Sequence, residues 1–443
     1  MDYKQKYFKY KQKYLGLLKA QKGGEPFLSD ILALPAYSWL IIMNKKQLKR
    51  FINQRLIDRL FTGRQLNLIP LEMIKLYAKN RLKLITQSSL SVELARKLVN
   101  FNNFINPELL MRILSRSMLH PPISKPTCVA SLKHSGSVYS IAFHPILPFL
   151  ATSSNYSANV WHMSVDGTAA TCVATLQGHS GGVSSVAFHP SLPLLATGSL
   201  DKTEKLWRLV TTPNGTAATC VATLQGHSSC VLSIAFHPTG CFLVTGSIDN
   251  NAKVWRLVTT PNNTSATCVA TLKGHSGSVN SVAFHPSLSL IATGSSDNIA
   301  KVWHMSADGM VTTCVETLVG HDNGVNSVAF HPSLPLIATG SSDNTAKVWY
   351  MSADGMVATS VVTLEGHIGG ICSVAFHPSL PLLATGSWYG TAKVWQLESV
   401  EGTAAICVAT LSGHSGRVAS VAFHASEPLL ATGSWDSTTK LWK

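Results

Sequence analysis

The chain has 443 residues, of which 45% are hydrophobic and 13% are charged, so it is long enough for more than one domain and too apolar for wholesale disorder. The formal net charge is +14, and its distribution is uneven. Residues 1–125 carry 23 Lys and Arg against 7 Asp and Glu, whereas residues 126–443 carry 13 against 15. This asymmetry predicts two modules, of which the first faces an anionic partner.

The sequence predicts an intracellular protein, cytoplasmic or nuclear, that is neither secreted nor membrane-spanning. The apolar stretch Ile31–Met43 contains Pro35, is too short to cross a bilayer, and lies too far from residue 1 for a signal peptide. We therefore expect reduced cysteines. Six of the nine recur at one position of a long repeat, where we expect small apolar packing residues: Cys128, Cys172, Cys220, Cys268, Cys314 and Cys407.

Residues 1–24 predict a basic amphipathic helix. Its tyrosines and one leucine are spaced by three and four residues, which places them on one side of a helix surrounded by lysines: Tyr3, Tyr7, Tyr10, Tyr14 and Leu17. The segment resembles a short N-terminal signature of proteins from giant DNA viruses, which implies a viral protein. Such a helix could bind nucleic acid, an anionic membrane surface or another helix, or it could dock through its tyrosines.

Residues 25–125 predict an α-helical region. Apolar residues recur at helical spacing in four segments, namely Gln47–Phe61, Leu71–Leu84, Ser91–Phe104 and Pro107–Met118. Pro121 and Pro122 then end the helical pattern. The stretch from Pro107 to Leu114 faintly resembles the opening of an F-box, although the next region follows too soon for the rest of such a box.

From about Thr127 the sequence repeats itself seven times. Each unit has a histidine, usually after glycine, near its start and a tryptophan at its end, with steps of 45 to 48 residues between the histidines and 46 to 48 between the tryptophans. Short apolar runs between Gly, Pro, Asp and Ser, such as Val183–Phe188, Leu194–Thr197 and Lys205–Trp207, are typical of buried antiparallel strands. Extra residues at Val210–Thr216 and Ser306–Val311 predict slightly longer loops.

This period, with GH near the front and a closing Trp, resembles the WD-repeat family. The resemblance covers residues 126–443 and implies an all-β, seven-bladed β-propeller, preceded here by the basic α-helical region. The last unit ends with three strands after its histidine, so it needs a fourth strand from elsewhere. The segment from 128 to 132 precedes the first histidine and is the expected donor, which would close the ring and remove an exposed edge.

In that family a His, a Ser or Thr, an Asp and the Trp of one blade form a hydrogen-bonded tetrad. Five units carry all four residues. These are His179, Thr197, Asp201 and Trp207; His227, Thr245, Asp249 and Trp255; His275, Thr293, Asp297 and Trp303; His321, Thr339, Asp343 and Trp349; and His414, Thr432, Asp436 and Trp442. The first unit offers Asn155 and the sixth Tyr389 where Asp is expected.

A set that recurs five times is a structural period, whereas a catalytic triad occurs once in a cleft. We therefore predict no enzymatic activity. No histidine or cysteine cluster has zinc-ligand spacing and no phosphate-binding glycine loop is present, so we predict neither metal nor cofactor.

The resemblance also implies that partners bind the loops around the His and Asp positions. Departures from the repeat single out the candidate partner-binding residues there: Trp388, Tyr389, Trp435, Arg417, Ile368, Leu200 and Ile248. Trp, Tyr and Arg are enriched at binding hot spots, although the two tryptophans could instead fold over the ring as local core.

The sequence therefore predicts a non-catalytic protein–protein interaction scaffold that binds a protein or peptide on the propeller. Two alternatives stay open. The chain could be a substrate receptor of a ubiquitin ligase acting through residues 26–120, or a nucleic-acid-associated protein acting through its basic N-terminus. Nothing in the sequence fixes its oligomeric state.

Overall fold

The computed structural model describes residues 126–164, 167–212, 215–260, 264–352, 355–398 and 403–443. The basic helix predicted for residues 1–24, its nucleic-acid or membrane contact, and the α-helical region predicted for residues 25–125 lie outside the described residues. The described part of the chain forms a seven-bladed β-propeller of four-stranded antiparallel sheets. Among these residues no helix is long and apolar enough to span a membrane.

The first three blades follow one another along the chain. Blade 1 consists of β2 (Ser140–Phe143), β3 (Phe149–Ser153), β4 (Ser157–Met163) and β5 (Ala170–Gln177). Blade 2 consists of β6 (Val183–Phe188), β7 (Leu194–Ser199), β8 (Thr203–Thr212) and β9 (Gly215–Gln225). Blade 3 consists of β10 (Val231–Phe236), β11 (Phe242–Ser247), β12 (Ala252–Thr259) and β13 (Thr264–Leu272).

The next three blades repeat the same order. Blade 4 consists of β14 (Val279–Phe284), β15 (Leu290–Ser295), β16 (Ala300–Met305) and β17 (Thr312–Leu318). Blade 5 consists of β18 (Val325–Phe330), β19 (Leu336–Ser341), β20 (Ala346–Met351) and β21 (Ala358–Leu364). Blade 6 consists of β22 (Ile371–Phe376), β23 (Leu382–Ser387), β24 (Thr391–Leu397) and β25 (Ala405–Ser412).

Blade 7 joins the two ends of the described chain. Its first three strands are β26 (Val418–Phe423), β27 (Leu430–Ser434) and β28 (Thr438–Trp442), and its fourth is β1 (Cys128–Lys133). β1 pairs antiparallel with β28, and Thr127 and Lys443 exchange backbone hydrogen bonds of 2.9 and 3.1 Å just beyond. The edge that β28 would otherwise expose is therefore covered.

The core consists of seven apolar clusters, each of which lies between two neighbouring blades. Between blades 1 and 2, for example, Val160 packs with Val183, Leu195 and Trp207, all of them buried. The cluster between blades 7 and 1 contains Leu132, contributed by β1. No blade buries its two faces alone, so the seven sheets stabilise one another around the ring.

A ring of hydrogen bonds links the innermost strands. In each blade a serine hydroxyl accepts the backbone N–H of the next blade, as Ser140 does from Val186 at 3.3 Å and Ser420 from Ile141 at 3.1 Å. The other five acceptors are Ser185, Ser233, Ser281, Ser327 and Ser373. All seven seams therefore carry the same polar link.

Two expectations from the sequence are wrong. The extra residues at Val210–Thr216 do not simply lengthen a loop: the hairpin ladder of β8 and β9 continues through them, pairing Val210 with Ala217 and Thr211 with Thr216, because β-branched residues favour strands. The recurring cysteines are not packed in the core. They lie on the fourth, outermost strand of six of the seven blades, with Cys128 on β1 among them, and all six are exposed.

Candidate functional site

The histidine that opens a unit is held by three other side chains at one end of each regular blade. In blade 2, His179 Nδ1 lies 2.8 Å from Asp201 Oδ2, and His179 Nε2 lies 2.8 Å from Thr197 Oγ1. Trp207 Nε1 donates to the same threonine oxygen at 2.8 Å. A neutral imidazole satisfies the whole chain of bonds if Nδ1–H donates to the carboxylate and Nε2 accepts from the threonine hydroxyl.

The same arrangement recurs in four other blades. The His–Asp and His–Thr distances there are 2.7 to 2.9 Å, and the Trp–Thr distances are 2.8 to 3.0 Å. The four sets are His227, Thr245, Asp249 and Trp255; His275, Thr293, Asp297 and Trp303; His321, Thr339, Asp343 and Trp349; and His414, Thr432, Asp436 and Trp442. The structure thus brings together all five sets that the sequence picked out.

The electrostatics of these tetrads favour a structural role. Burial lowers the pKa of His179 and of its four counterparts, so the rings are neutral near pH 7. Burial alone would raise the pKa of Asp201, but hydrogen bonds from Thr203 and His179 outweigh it and lower that pKa to about 2. The threonine hydroxyl of each set is fully buried and also accepts from the tryptophan, and the same set recurs in five blades, as is typical of a structural framework.

Blade 6 has the histidine, threonine and tryptophan of the tetrad but lacks its carboxylate. His367 Nε2 lies 2.7 Å from Thr385 Oγ1, and Trp395 Nε1 donates to that threonine at 2.8 Å. Tyr389 occupies the Asp position with 68% of its surface exposed and supplies no carboxylate to the imidazole. Among the described residues, Thr391 Oγ1 alone lies within hydrogen-bonding distance of His367 Nδ1, at 3.4 Å.

Blade 1 departs in a different way. Trp161 Nε1 still donates to Thr152, at 2.9 Å, but His134 Nε2 lies 3.0 Å from Thr439 of the neighbouring blade 7. Asn155 does not replace the aspartate as a partner of His134, whose Nδ1 is buried without a hydrogen bond in the described part of the chain. Burial lowers the pKa of His134 to about 4.

In blades 2 to 7, unlike in blade 1, the residue before the Asp position lies on the same end of the propeller and keeps one backbone geometry whatever its side chain. Its N–H donates to the loop before the first strand of its own blade: Leu200 to Gly182 at 2.8 Å, Ser342 to Gly324 at 2.9 Å, and Trp435 to Arg417 at 2.9 Å. The turn therefore tolerates a serine or a tryptophan alike, and its side chain is available for recognition.

In blades 6 and 7 these side chains form what we call the aromatic cluster, which comprises Trp388, Tyr389, Trp435, Arg417 and Ile368. The guanidinium carbon of Arg417 lies 5.5 Å from the ring centre of Trp388 and 4.8 Å from that of Trp435. The tryptophans are 43% and 45% exposed and Ile368 is 86% exposed. The cluster therefore joins both blades and offers a partly open apolar surface around one cation.

Two neighbours of the cluster escaped the sequence analysis. Tyr139 of blade 1 packs edge-on to Trp435, with ring centres 6.0 Å apart, and Arg417 Nε lies 3.0 Å from Cys372 Sγ. The repeat offers a signal for the second, because Cys372 is a cysteine at a position where most units have Ser, Asn or Leu. The first depends on ring closure, which brings blade 1 beside blade 7.

The last two predicted partner-binding residues lie elsewhere on the same end. Leu200 and Ile248 belong to blades 2 and 3 and are 42% and 41% exposed. Cys230 connects them, since its Sγ donates to the Leu200 carbonyl at 3.3 Å and its own carbonyl accepts from the Ile248 N–H at 3.0 Å. They form a smaller apolar pair without a cation.

The opposite end carries a second histidine ring. In His189, for example, Nδ1 accepts the backbone N–H groups of Ser191 and Leu192 at 3.1 and 2.9 Å, and the ring packs edge-on to Phe236 of the next blade. Six equivalent His–Phe contacts complete the circle, from His144, His237, His285, His331, His377 and His424. Nδ1 of these histidines accepts backbone N–H groups, and burial lowers the pKa of the rings, so the histidines stabilise turns rather than bind ligands.

One buried carboxyl group belongs to neither histidine ring. Glu204 on β8 is fully buried between blades 2 and 3, where both its oxygens lack a hydrogen-bond partner among the described residues. Its Oε1 lies 3.8 Å from Nε2 of His227, and burial raises the pKa of Glu204 to about 8. Five other blades have alanine at this position: Ala158, Ala252, Ala300, Ala346 and Ala392. Within the described ranges no group of three or more His, Cys, Asp or Glu could hold a metal ion.

The repeat units match a known family model. The model described as "WD domain, G-beta repeat" matches seven segments, which together cover more than half of the chain: residues 126–162, 170–208, 218–256, 266–304, 312–350, 358–396 and 405–443. Each segment ends within one residue of the tryptophan that closes a unit. No curated protein matches the chain in sequence.

Proposed function

Because the chain belongs to the WD-repeat family, whose propellers typically serve as protein-interaction scaffolds, we propose that it is a non-catalytic scaffold whose partner docks on the aromatic cluster. The partner is a protein or peptide that covers Trp388 and Trp435 and contacts Arg417. Leu200 and Ile248 extend the same end of the propeller and form a secondary contact.

The observation that carries this proposal is the exposure of two neighbouring tryptophans that the fold does not need. Ser296 and Ser342 occupy the equivalent positions in blades 4 and 5 and keep the same backbone hydrogen bond. Serine suffices for the backbone at this position, whereas each tryptophan is 43–45% exposed. In the free protein its apolar surface is therefore in contact with water, which is unfavourable in free energy. Binding of a partner recovers that free energy, which is the usual basis of a hot spot.

The tetrads support a scaffold as well. They fix the loops of five blades with buried hydrogen bonds, so the surface at this end is rigid before a partner arrives. A rigid surface loses little conformational entropy on binding. Blades 1 and 6 are the exceptions, and the exposed Tyr389 of blade 6 belongs to the proposed contact.

The test is a quantitative pull-down from a cell lysate with the intact protein and with a Trp388→Ala/Trp435→Ala/Arg417→Ala variant. We expect proteins that bind the intact chain to fall by at least about tenfold with the variant, because hot-spot truncations each cost about 2 kcal/mol or more. Thermal unfolding of both proteins checks that the variant is folded.

The matched control is Met310→Ala/Met356→Ala, which removes two exposed side chains (60% and 45%) from the loops at the opposite end of blades 4 and 5. Retention of the same partners by this control ties the loss to the aromatic cluster. If the triple variant keeps all partners while deletion of residues 1–125 removes them, recognition lies in the N-terminal region, and the ubiquitin-ligase and nucleic-acid alternatives take precedence.

A further inference from the structure

The cation at the centre of the aromatic cluster has no counter-ion. Within the described part of the chain no carboxylate lies within ion-pairing distance of Arg417, and the one hydrogen bond of its side chain runs from Nε to Cys372 Sγ. Burial raises the pKa of the Cys372 thiol to about 11, so the thiol is neutral and does not offset the charge. Arg417 is therefore a positive charge set among apolar rings.

Stacking also determines how Arg417 can bind a ligand. The guanidinium carbon lies over two indoles, and the terminal N–H groups of Arg417 make no hydrogen bond within the described part of the chain. Two parallel N–H groups in one plane match the two oxygens of an oxyanion. A partner that covers the rings excludes water from this place, which strengthens such a pair.

A second stacked arginine shows what an internally satisfied cation looks like. Arg256 lies over Phe242 with its guanidinium carbon 5.8 Å from the ring centre, and its Nη2 donates to the Asp308 carbonyl. Its edge is used within the propeller. The terminal nitrogens of Arg417 have no such partner in the described ranges.

We infer that the aromatic cluster recognises an acidic residue of the partner, an Asp or Glu side chain whose carboxylate pairs with the two terminal nitrogens of Arg417 while neighbouring apolar residues cover Trp388 and Trp435. This inference rests on the proposed function. A single carboxylate suits the site because the cluster contains one cation, whereas a phosphate carries up to two charges and is usually met by several basic residues.

The experiment uses a random dodecapeptide library displayed on phage, selected with the full-length protein. Peptides that bind the aromatic cluster are those whose binding is lost with Trp388→Ala/Trp435→Ala. We expect these peptides to carry Asp or Glu at one fixed position beside apolar residues. We further expect Arg417→Glu to select Lys or Arg at that position, because the charge of the site is reversed.

Synthetic peptides then measure the pairing directly. Replacing the selected acid by its amide weakens binding to the intact protein by about tenfold to a hundredfold and leaves binding to Arg417→Met unchanged, as expected for two groups that interact. Arg256→Met is the matched control and keeps the full effect of the acid. Since the acid-to-amide change is made in the peptide, the comparison on the intact protein does not depend on the folding of any variant.

Four results would overturn the inference. Cluster-dependent peptides without a fixed acid leave the proposed function standing and exclude carboxylate recognition. The same conclusion follows if the acid and Arg417 make independent contributions, or if a phosphoserine peptide binds more than tenfold tighter than the aspartate peptide. Failure to recover any cluster-dependent peptide counts against the proposed function itself, and the inference falls with it.

Discussion

Blades 5 and 6 are neighbours of nearly the same sequence pattern that use one position in two different ways. In blade 5, Asp343 accepts from His321 Nδ1 at 2.7 Å and from the backbone and hydroxyl of Thr345, while Ser342 before it contributes no bulk. In blade 6 the corresponding residues are Tyr389 and Trp388, and both side chains are exposed.

The difference shows that the hydrogen-bonded framework and the proposed recognition surface draw on the same few loop positions. In blade 5 the loop carries the framework residue alone, and in blade 7 it carries both, because Asp436 completes the tetrad while Trp435 before it is exposed. In blade 6 the framework residue is replaced and the loop presents two aromatic side chains, and the blade keeps its fold because its strands are anchored by the seams on either side.

The largest effect comes from breaking the ring on which both blades depend. Deleting residues 1–133 removes β1, so Leu441 and Trp442 of blade 7 become exposed and the cluster with Leu132 is lost. We expect the cooperative unfolding transition to disappear, since the loss exceeds about 5 kcal/mol, which is comparable with the total stability of many domains. Urea unfolding followed by tryptophan fluorescence measures it.

Deletion of residues 1–125 is the matched control, because the two proteins differ only in the segment that contains the closing strand. A cooperative transition of normal midpoint in both proteins would mean that closure by β1 contributes little to the ring.

The second effect distinguishes blade 5 from blade 6. Asp343→Ala leaves His321 without its acceptor in a buried site, and we expect a loss of about 2–4 kcal/mol in the free energy of unfolding. Tyr389→Ala in blade 6 removes an exposed ring that holds no framework bond, and we expect less than about 0.5 kcal/mol. The measurement is urea unfolding at pH 7. Equal losses in the two variants would contradict the division of roles between these blades.

The third and smallest effect concerns Glu204, a departure from the repeat that is buried rather than exposed. An unfolded glutamate releases its proton near pH 4.5, whereas the folded one holds it until about pH 8. Between these values the folded state binds more protons than the unfolded state, so this residue lowers stability progressively as the pH rises. We expect Glu204→Ala to raise the free energy of unfolding by about 1–3 kcal/mol at pH 8, and by less at pH 5.

Denaturation of Glu204→Ala at pH 5 and pH 8 gives this comparison. Glu365→Ala, which removes an exposed carboxylate, controls for the general change in charge. A gain for Glu204→Ala that grows toward acidic pH would reverse the predicted sign and show that the carboxyl group is stabilised when ionised.

The sequence predicted the propeller and the number of blades because a strict period leaves few alternative architectures. It placed Val183–Phe188 as a strand, and β6 has those bounds. It failed on the outward-facing cysteines, because equivalence within a repeat says that a residue recurs and not which face of the sheet it occupies. Membership of each tetrad followed from the resemblance to the WD-repeat family, and it could be assigned residue by residue because the four residues are local to one repeat unit.

Contacts between blades were harder to predict from sequence. The serine links between inner strands and the packing of Tyr139 on Trp435 join residues 45 to 50 or about 300 positions apart, and their geometry depends on how the sheets are stacked. Glu204 was visible as a glutamate among alanines, but only the structure shows that this position faces the next blade's histidine. The position of Arg417 over the tryptophans of blades 6 and 7 likewise depends on how the sheets are stacked.

Closure by β1 has a consequence for synthesis of the chain. Cys128 is translated early, whereas its partner Trp442 emerges about 300 residues later. At about 5–20 residues per second, β1 waits for roughly 15 to 60 s before its partner leaves the ribosome. The blades between can form and stack during that time, but the ring cannot close. A ribosome-bound chain therefore displays an unpaired strand and an open seam, which makes β1 the segment of the propeller most in need of chaperone protection.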